Sequence, residues 1–334
     1  MALDVALVLV GLVALARGSD RFVVGAARLS SAWGVSPVVV GAGVVGFGTG
    51  MPELFISGLA AAEGSLDLAV GNVIGSNLAN LTLVLGVGGL LARPEVVPRV
   101  LRREAPLSFT AVALFALLVQ GGLTVVDGVL LLAALGGAVW FLLRSEQVAE
   151  EAAERSPVER EAEAELVEEV EELLEEDGGR AATGWRAAAG RDGLLTVTGL
   201  IATVLGAQLL VTGAGSMATD LGVSEGFIGL TLVAIGTSLP ELVTAVQSAR
   251  RDETALLVGN VLGSNVFNSL AVAGVAALLA PGPLHDPGVT VIAAGAMVLV
   301  AGLAWLFLGW GGVLRRWEAA TLLAIYAVTL PLSS

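Results

Sequence analysis

Long apolar runs, each closed by a short polar or charged stretch, recur along the 334 residues of this chain. Crossing a bilayer takes about 20 predominantly apolar residues. Ten segments come near that length, at 3–28, 36–63, 67–91, 104–120, 124–144, 194–218, 224–249, 254–280, 288–309 and 317–333. The pattern predicts an all-α polytopic membrane protein with ten transmembrane helices. Four of the spans are interrupted by polar words. The second carries Gly48-Thr-Gly-Met-Pro-Glu53 and the seventh Gly236-Thr-Ser-Leu-Pro-Glu241. The third carries Gly71-Asn-Val-Ile-Gly-Ser-Asn77 with Asn80, and the eighth Gly259-Asn-Val-Leu-Gly-Ser-Asn265 with Asn268.

Each word recurs 188 residues on. Residues 11–91 align with 199–279 without a gap, and between Gly34 and Asn80 20 of 47 positions match their partners. The matches include Thr, Pro, Glu, Ser and Asn, which bulk hydrophobicity does not supply. The chain is therefore an internal duplication. Each half holds five spans, an odd number, so the second half must enter the membrane from the opposite side. The expectation is two inverted five-helix repeats with discontinuous helices 2 and 7. Substrate sites of such transporters lie near the midplane, where the broken helices meet. The halves take residues 1–145 and 191–334, with motifs at 48–80 and 236–268, and 146–190 joins them.

Composition narrows the chemistry. The 14% of charged residues compares with roughly 25% in a soluble protein. With no cysteine, disulfides, thiol catalysis and Cys-ligated zinc are excluded. No cleavable signal peptide is expected, because Met1-Ala-Leu-Asp leads straight into an apolar segment too long for one. All 17 basic residues are Arg, and most of the net charge of −14 sits between about Glu146 and Asp177. Such a Lys-free acidic chain suits a salt-rich cytoplasm or a GC-rich genome.

Arg placement sets the orientation. Loops after odd-numbered spans carry Arg28, Arg93, Arg99, Arg102, Arg103, Arg144, Arg250, Arg251, Arg315 and Arg316. Loops after even-numbered spans carry Glu63, Asp67, Asp220, Glu225, His285 and Asp286, and no Arg. The odd loops, including 146–190, are expected to be cytoplasmic and both termini extracellular, in the cell membrane. Within 146–190, Leu166, Val167, Val170, Leu173 and Leu174 recur at helical spacing among glutamates. That reads as a short amphipathic acidic helix in a solvated linker; a regulatory cation-binding role is the alternative, without an EF-hand pattern. Arg17, Asp20 and Arg21 read as a snorkelling group on a tilted first helix. Trp33, Trp140, Trp310 and Trp317 read as interfacial anchors.

The repeated words carry the candidate chemistry. Pro52 and Pro240 each remove a backbone donor and free a carbonyl one turn earlier, near Gly48 and Gly236. A bare carbonyl must face protein or a hydrated cavity, where it can ligate a cation. Glu53 and Glu241 lie just past the breaks, at a cost of at least a few kcal/mol each if left unpaired in the bilayer. No Arg shares their depth, so the natural partner is a bound cation. Thr49 and Thr237 lie four residues earlier on the same helical face. In the third and eighth spans Asn72, Ser76 and Asn80, and Asn260, Ser264 and Asn268, recur at i, i+4 and i+8. Gly71, Gly75, Gly259 and Gly263 beside them allow close backbone approach. Together these groups offer only oxygen. Ca²⁺ takes roughly 6–8 oxygens, and Na⁺ accepts the same donors. Zinc and copper would want His or Cys, and the only histidine, His285, falls in an outer loop. Asn80-Leu-Thr82 matches a glycosylation sequon but lies inside a span.

The doubled pattern of Gly-Thr-x-x-Pro-Glu followed by Gly-Asn-x-x-Gly-Ser-Asn-x-x-Asn resembles the alpha repeats of the cation/Ca²⁺ exchanger superfamily, most nearly its prokaryotic Na⁺/Ca²⁺ exchangers. The resemblance covers spans 1–3 and 6–8 by motif and the other four by hydropathy. It implies Na⁺-driven Ca²⁺ exchange by alternating access, with the first and sixth helices sliding as a gate across the other eight. It implies ion-ligand roles for Glu53, Glu241, Thr49, Thr237, Ser238, Ser76, Asn77, Asn80, Ser264, Asn265 and Asn268. It implies no cofactor, with Ca²⁺, Na⁺ and the lipid bilayer as partners, and neither nucleic acid nor an obligate protein partner. Two departures stand out. Gly50 replaces the serine that Ser238 keeps, and Asn80 and Asn268 are both amides where many prokaryotic members have one Asp. The cage therefore has two carboxylates. A H⁺/Ca²⁺ antiporter using the same glutamates is the nearest rival. A channel would not need an inverted duplication, and an intramembrane enzyme would need a nucleophile and base that the motifs lack.

Overall fold

The computed structural model describes residues 2–32, 50–96, 98, 100–151, 185–251, 254–285 and 292–332. Thr49, the first part of the second span, Trp33 and the acidic residues 152–184 lie outside them. Among the described residues the chain is almost entirely helical. The helices are α1 (Ala2–Ala32), α2 (Met51–Ala62), α3 (Leu66–Ala92), α4 (Ala105–Leu118), α5 (Val125–Glu151), α6 (Trp185–Leu221), α7 (Glu225–Thr237), α8 (Leu239–Arg251), α9 (254–279), α10 (Ala294–Gly309) and α11 (Arg316–Leu332). By length and composition α1, α3, α5, α6 and α9 can each cross a bilayer, and α7 with α8 passes together as a pair bent by 41°, a broken span or a re-entrant loop.

Two helices outrun their apolar windows. α1 has 31 residues and α6 has 37, about 46 and 55 Å at 1.5 Å per residue, against a hydrocarbon core of about 30 Å. Hydropathy locates only the lipid-crossing part. The Ala-rich stretch before Arg191 favours continuing the helix, so α6 starts at Trp185 rather than near 194.

The polar words coincide with irregular backbone. α3 widens into a π-helical turn at Asn80–Val84, and α9 does so at Asn268–Val272. The same deformation thus appears at both copies of the motif, each time beginning on its last asparagine. Further π turns lie in α7 at Gly229–Val233 and just before α4 at Val100–Glu104. Such turns leave the regular i→i−4 ladder and are frequent at functional sites.

The connections sort into two ends. At one, Ser65 Oγ bonds Glu225 and the His285 amide donates to Asp67 at 2.9 Å, while Glu63 accepts at 2.5 Å from Nε2 of Gln208 inside α6. Leu123 and Gly282 exchange backbone hydrogen bonds at the same kind of connection. At the other, Val96 donates to Gly312 O at 2.8 Å and Leu314 to Pro94 O at 3.0 Å. Connections after even spans meet one another, and so do those after odd spans. Asp67, in the first turn of α3, touches His285, just past the end of α9. The two motif helices therefore run in opposite directions.

The main apolar core is built from α3, α4, α9, α10 and α11 around Leu81, Leu85, Val112, Phe115 and Met297. A smaller one joins α2, α6 and α7 through Ile56, Ala60, Leu210, Val211 and Val233. α1 packs chiefly along α6. Its Gly11, Gly18 and Gly25, spaced by seven, meet the backbone of α6, whose Gly199, Gly206 and Gly213 repeat the same spacing. A Cβ on Gly18 would lie 2.5 Å from the Thr203 nitrogen, so only glycine permits this separation. Arg28 and Asp192, 3.9 Å apart, close the far end of that seam. Arg17, Asp20 and Arg21 lie on the exposed face of α1.

Candidate ion site

The breaks sit at matching positions. Gly50 caps α2 with φ −82° and ψ 0°, and Ser238 ends α7 with φ −83° and ψ 6°. Pro52 and Pro240 follow within the first turn of α2 and α8, where a missing N–H costs least. Glu53 and Glu241 come next, each in a first turn and each 0% exposed. The positive ends of α2 and α8 favour ionised carboxylates there, and the carbonyl end of α7 favours a cation. The two breaks meet, since Ser238 at the end of α7, three residues before Glu241, lies 3.5 Å from Glu53 Oε1. Like charges in a low-dielectric interior repel, so a shared cation would satisfy both.

α3 and α9 flank the breaks. α3 lies close against α7 because Gly71 and Gly75 sit over the Gly226 and Leu230 carbonyls, and Gly229 sits over that of Leu68. On these helices Ser76, Asn77, Asn80, Ser264, Asn265 and Asn268 are all buried. Some of the polar groups are tied to each other. Asn72 Nδ2 donates to Ser57 Oγ at 3.0 Å, and Thr237 Oγ1 donates to Asn72 Oδ1 at 3.3 Å. Asn72 is thus a cross-brace between α2, α3 and α7. Asn268 Nδ2 donates to Ser76 Oγ at 3.1 Å, joining the two motifs directly. Asn77 Nδ2 reaches Ser269 Oγ at 3.0 Å and the Met297 sulfur at 3.5 Å. Ser238 Oγ lies 3.5 Å from Glu53 Oε1, a long contact.

What remains is a set of unpartnered acceptors. Glu53 Oε2, both Glu241 carboxylate oxygens, Ser264 Oγ and the Oδ1 atoms of Asn77, Asn80, Asn265 and Asn268 are buried with no hydrogen-bond partner among the described residues. Each orphaned polar atom costs about 1–3 kcal/mol, and native interiors hold few. Their concentration on residues of the two motifs, with two carboxylates among them, is the donor set a hard cation requires. Asn80 and Asn265 also have unpaired amide nitrogens, so either end of those amides can turn inward.

Of the eleven candidate ligands read from sequence, nine lie on α2, α3, α7, α8 and α9, Ser238 lies at the break between α7 and α8, and Thr49 lies outside the described residues. His285 is exposed at the even-loop end, with Nδ1 3.3 Å from Asp67 Oδ2. Ser57, Ser269 and Met297 were missed. The duplication was the signal, and these three escape it: the partners of Ser57 and Ser269 are Ala245 and Leu81, and Met297 lies outside the motifs.

Three comparisons bear on this arrangement. The family model for the sodium/calcium exchanger protein matches residues 3–144 and 193–334. The putative antiporter CaxA of Alkalimonas amylolytica is 38% identical over 82% of this chain and 80% of its own. Sodium/calcium exchanger MaX1 of Methanosarcina acetivorans is 28% identical over 97% of this chain and 96% of its own. Among solved structures, the sodium-calcium exchanger NCX_Mj soaked with 10 mM Na⁺ and 10 mM Sr²⁺ superposes with a TM-score of 0.59. It is 28% identical, with 99% of this chain and 98% of that one covered. A duplicated oxygen-lined crossing in an all-helical membrane protein, matched along both halves by that family model, makes this chain a member of the sodium/calcium exchanger family, a multi-pass transporter of cations and not an enzyme.

Proposed function

We propose that the chain exchanges Na⁺ for Ca²⁺ across the cell membrane by alternating access, binding either ion between the two motifs. The observation that carries this reading is the group of unpartnered oxygens around Glu53 and Glu241. In this reading Glu53 and Glu241 carry the charge, and Thr49, Thr237, Ser238, Ser76, Asn77, Asn80, Ser264, Asn265 and Asn268 complete the shell around one Ca²⁺ or the Na⁺ ions that replace it. Occlusion neutralises the carboxylates, and only the neutralised core crosses between its two faces, because a bare charge in hydrocarbon is too costly to move. Coupling follows from that rule. Residues 1–145 and 191–334 form inverted halves, with 146–190 and the Arg-bearing connections in the cytoplasm and both termini outside. The names of MaX1 and NCX_Mj support Na⁺ as the counter-ion.

The test is Ca²⁺ uptake into proteoliposomes with an outward Na⁺ gradient at equal pH on both sides. Uptake driven by that gradient is expected. Uptake that ignores Na⁺ and follows an imposed pH gradient would replace this reading with H⁺/Ca²⁺ antiport.

A further inference from the structure

The two halves of the cage are not equal, and the inequality has a packing cause. Gly50 and Ser238 are partners in the repeat and share one backbone conformation. Glycine is therefore not demanded by the local dihedrals, which lie in a region open to any residue. What excludes a side chain at Gly50 is the ring of Phe267. A Cβ on Gly50 would lie 2.5 Å from Phe267 Cδ1 and 2.9 Å from Cε1. Phe267 is 6% exposed and belongs to the main buried cluster, so the ring has little room to retreat. The residue mirrored onto Phe267 is Ala79, which is small. The repeat thus sets Ser238 and Ala79 in the positions that Gly50 and Phe267 hold in the other half.

The carboxylates register the same inequality. Ser238 Oγ, from the second half, approaches Glu53 of the first. The mirrored approach would run from residue 50 to Glu241. Glycine has no hydroxyl to offer, and among the described residues both Glu241 oxygens are unpartnered. Phe267 fills the corresponding volume with carbon, which supplies no lone pair to a hard cation.

We propose that the Gly50–Phe267 pair is a specificity-determining element that removes one monovalent-cation position beside Glu241. This chain then couples fewer Na⁺ to each Ca²⁺ than a cage with a hydroxyl in both halves. The inference rests on the Na⁺/Ca²⁺ exchange reading and adds to it the origin of the coupling ratio.

Three variants test it in detergent and in proteoliposomes: Gly50→Ser, Phe267→Ala, and both together. Gly50→Ser alone should lower the thermal unfolding temperature and the exchange rate, and Phe267→Ala in the same chain should restore both. The coupling ratio is then read as the Ca²⁺ gradient that just balances a tenfold Na⁺ gradient at zero membrane potential. One added Na⁺ per Ca²⁺ makes that balancing gradient about tenfold steeper in the double variant than in the parent chain. Wild-type behaviour of Gly50→Ser would overturn the steric premise, and so would a double variant that stays impaired. A restored double variant with an unchanged balance point would overturn the specificity role. A parent chain without Na⁺-driven flux would instead end the exchange reading, while the unfolding rescue would still report where the ring sits.

Discussion

The motif crossing and the α1–α6 pair are both built on glycine and close backbone approach, yet they resolve their polar groups in opposite ways. Along α1 and α6 the contact is backbone on backbone, through Gly11, Gly18 and Gly25, and hydroxyls such as those of Thr196 and Thr203 bond carbonyls of their own helix at 2.7 and 2.8 Å. The outer faces of that pair carry exposed Leu9, Val13, Leu194 and Ile201, while Gln208 of α6 bonds Glu63 beyond α2. At the crossing the glycines bring α3 against α7, but among the described residues the Oδ1 atoms of Asn77, Asn80, Asn265 and Asn268, Glu53 Oε2 and both Glu241 carboxylate oxygens have no hydrogen-bond partner. The contacts of that seam are mostly internal to the pair, with α6 also packed on α2 and α7 through Leu210 and Val211. An open cage needs a third party. The contrast fits the sliding-gate expectation for the first and sixth helices and the ion-ligand expectation for the motif residues.

Three experiments push on that contrast. The largest effect is expected at the cage: Glu53→Gln or Glu241→Gln should lower Na⁺-dependent Ca²⁺ uptake by at least about 100-fold, since a charge that must be neutralised by the ion is gone. Folding should survive, because removing an uncompensated buried charge relieves rather than strains the interior. Retained exchange in both variants would refute the assignment. Next comes the seam. Gly18→Val drives a side chain into the α6 backbone, and overpacking of this kind costs about 1–3 kcal/mol. Reduced exchange with unchanged Ca²⁺ binding at equilibrium is the expected signature, and weakened binding would mean that the seam shapes the cage directly. The smallest effect separates two asparagines on one face of α3. Asn80→Ala should weaken ion affinity about tenfold, equivalent to about 1.4 kcal/mol, with little change in ion-free stability. Asn72→Ala should do the reverse, because it removes the two hydrogen bonds that tie Ser57 and Thr237 across α2, α3 and α7, at about 0.5–1.5 kcal/mol each. Identical profiles would erase the distinction between ligand and brace.

Much of this was legible beforehand. Glu53, Pro52 and the Asn/Ser faces stand out because polar residues inside apolar runs are expensive, and because each has a partner 188 positions on. The same filter hid Ser57, Ser269 and Met297, which have no polar counterpart. Gly50 was visible as a departure, but its cause was not. Phe267 reads as one more apolar residue until the fold sets its ring against residue 50. The π turns at Asn80 and Asn268 were equally silent, since they depend on how packed neighbours redistribute the helix ladder and not on composition. The length of α6 exceeds its hydropathy window for a related reason: apolarity marks lipid, whereas helix formation continues wherever propensity allows.

The central claim is that the unpartnered oxygens around Glu53 and Glu241 hold the transported Ca²⁺. Anomalous diffraction from crystals soaked with Sr²⁺ or Ca²⁺ tests it most directly. The account predicts a single strong peak at about 2.3–2.6 Å from Glu53 Oε2 and from a Glu241 carboxylate oxygen, lost in Glu53→Gln. A peak away from both carboxylates, or one that persists at full height in that variant, would contradict it.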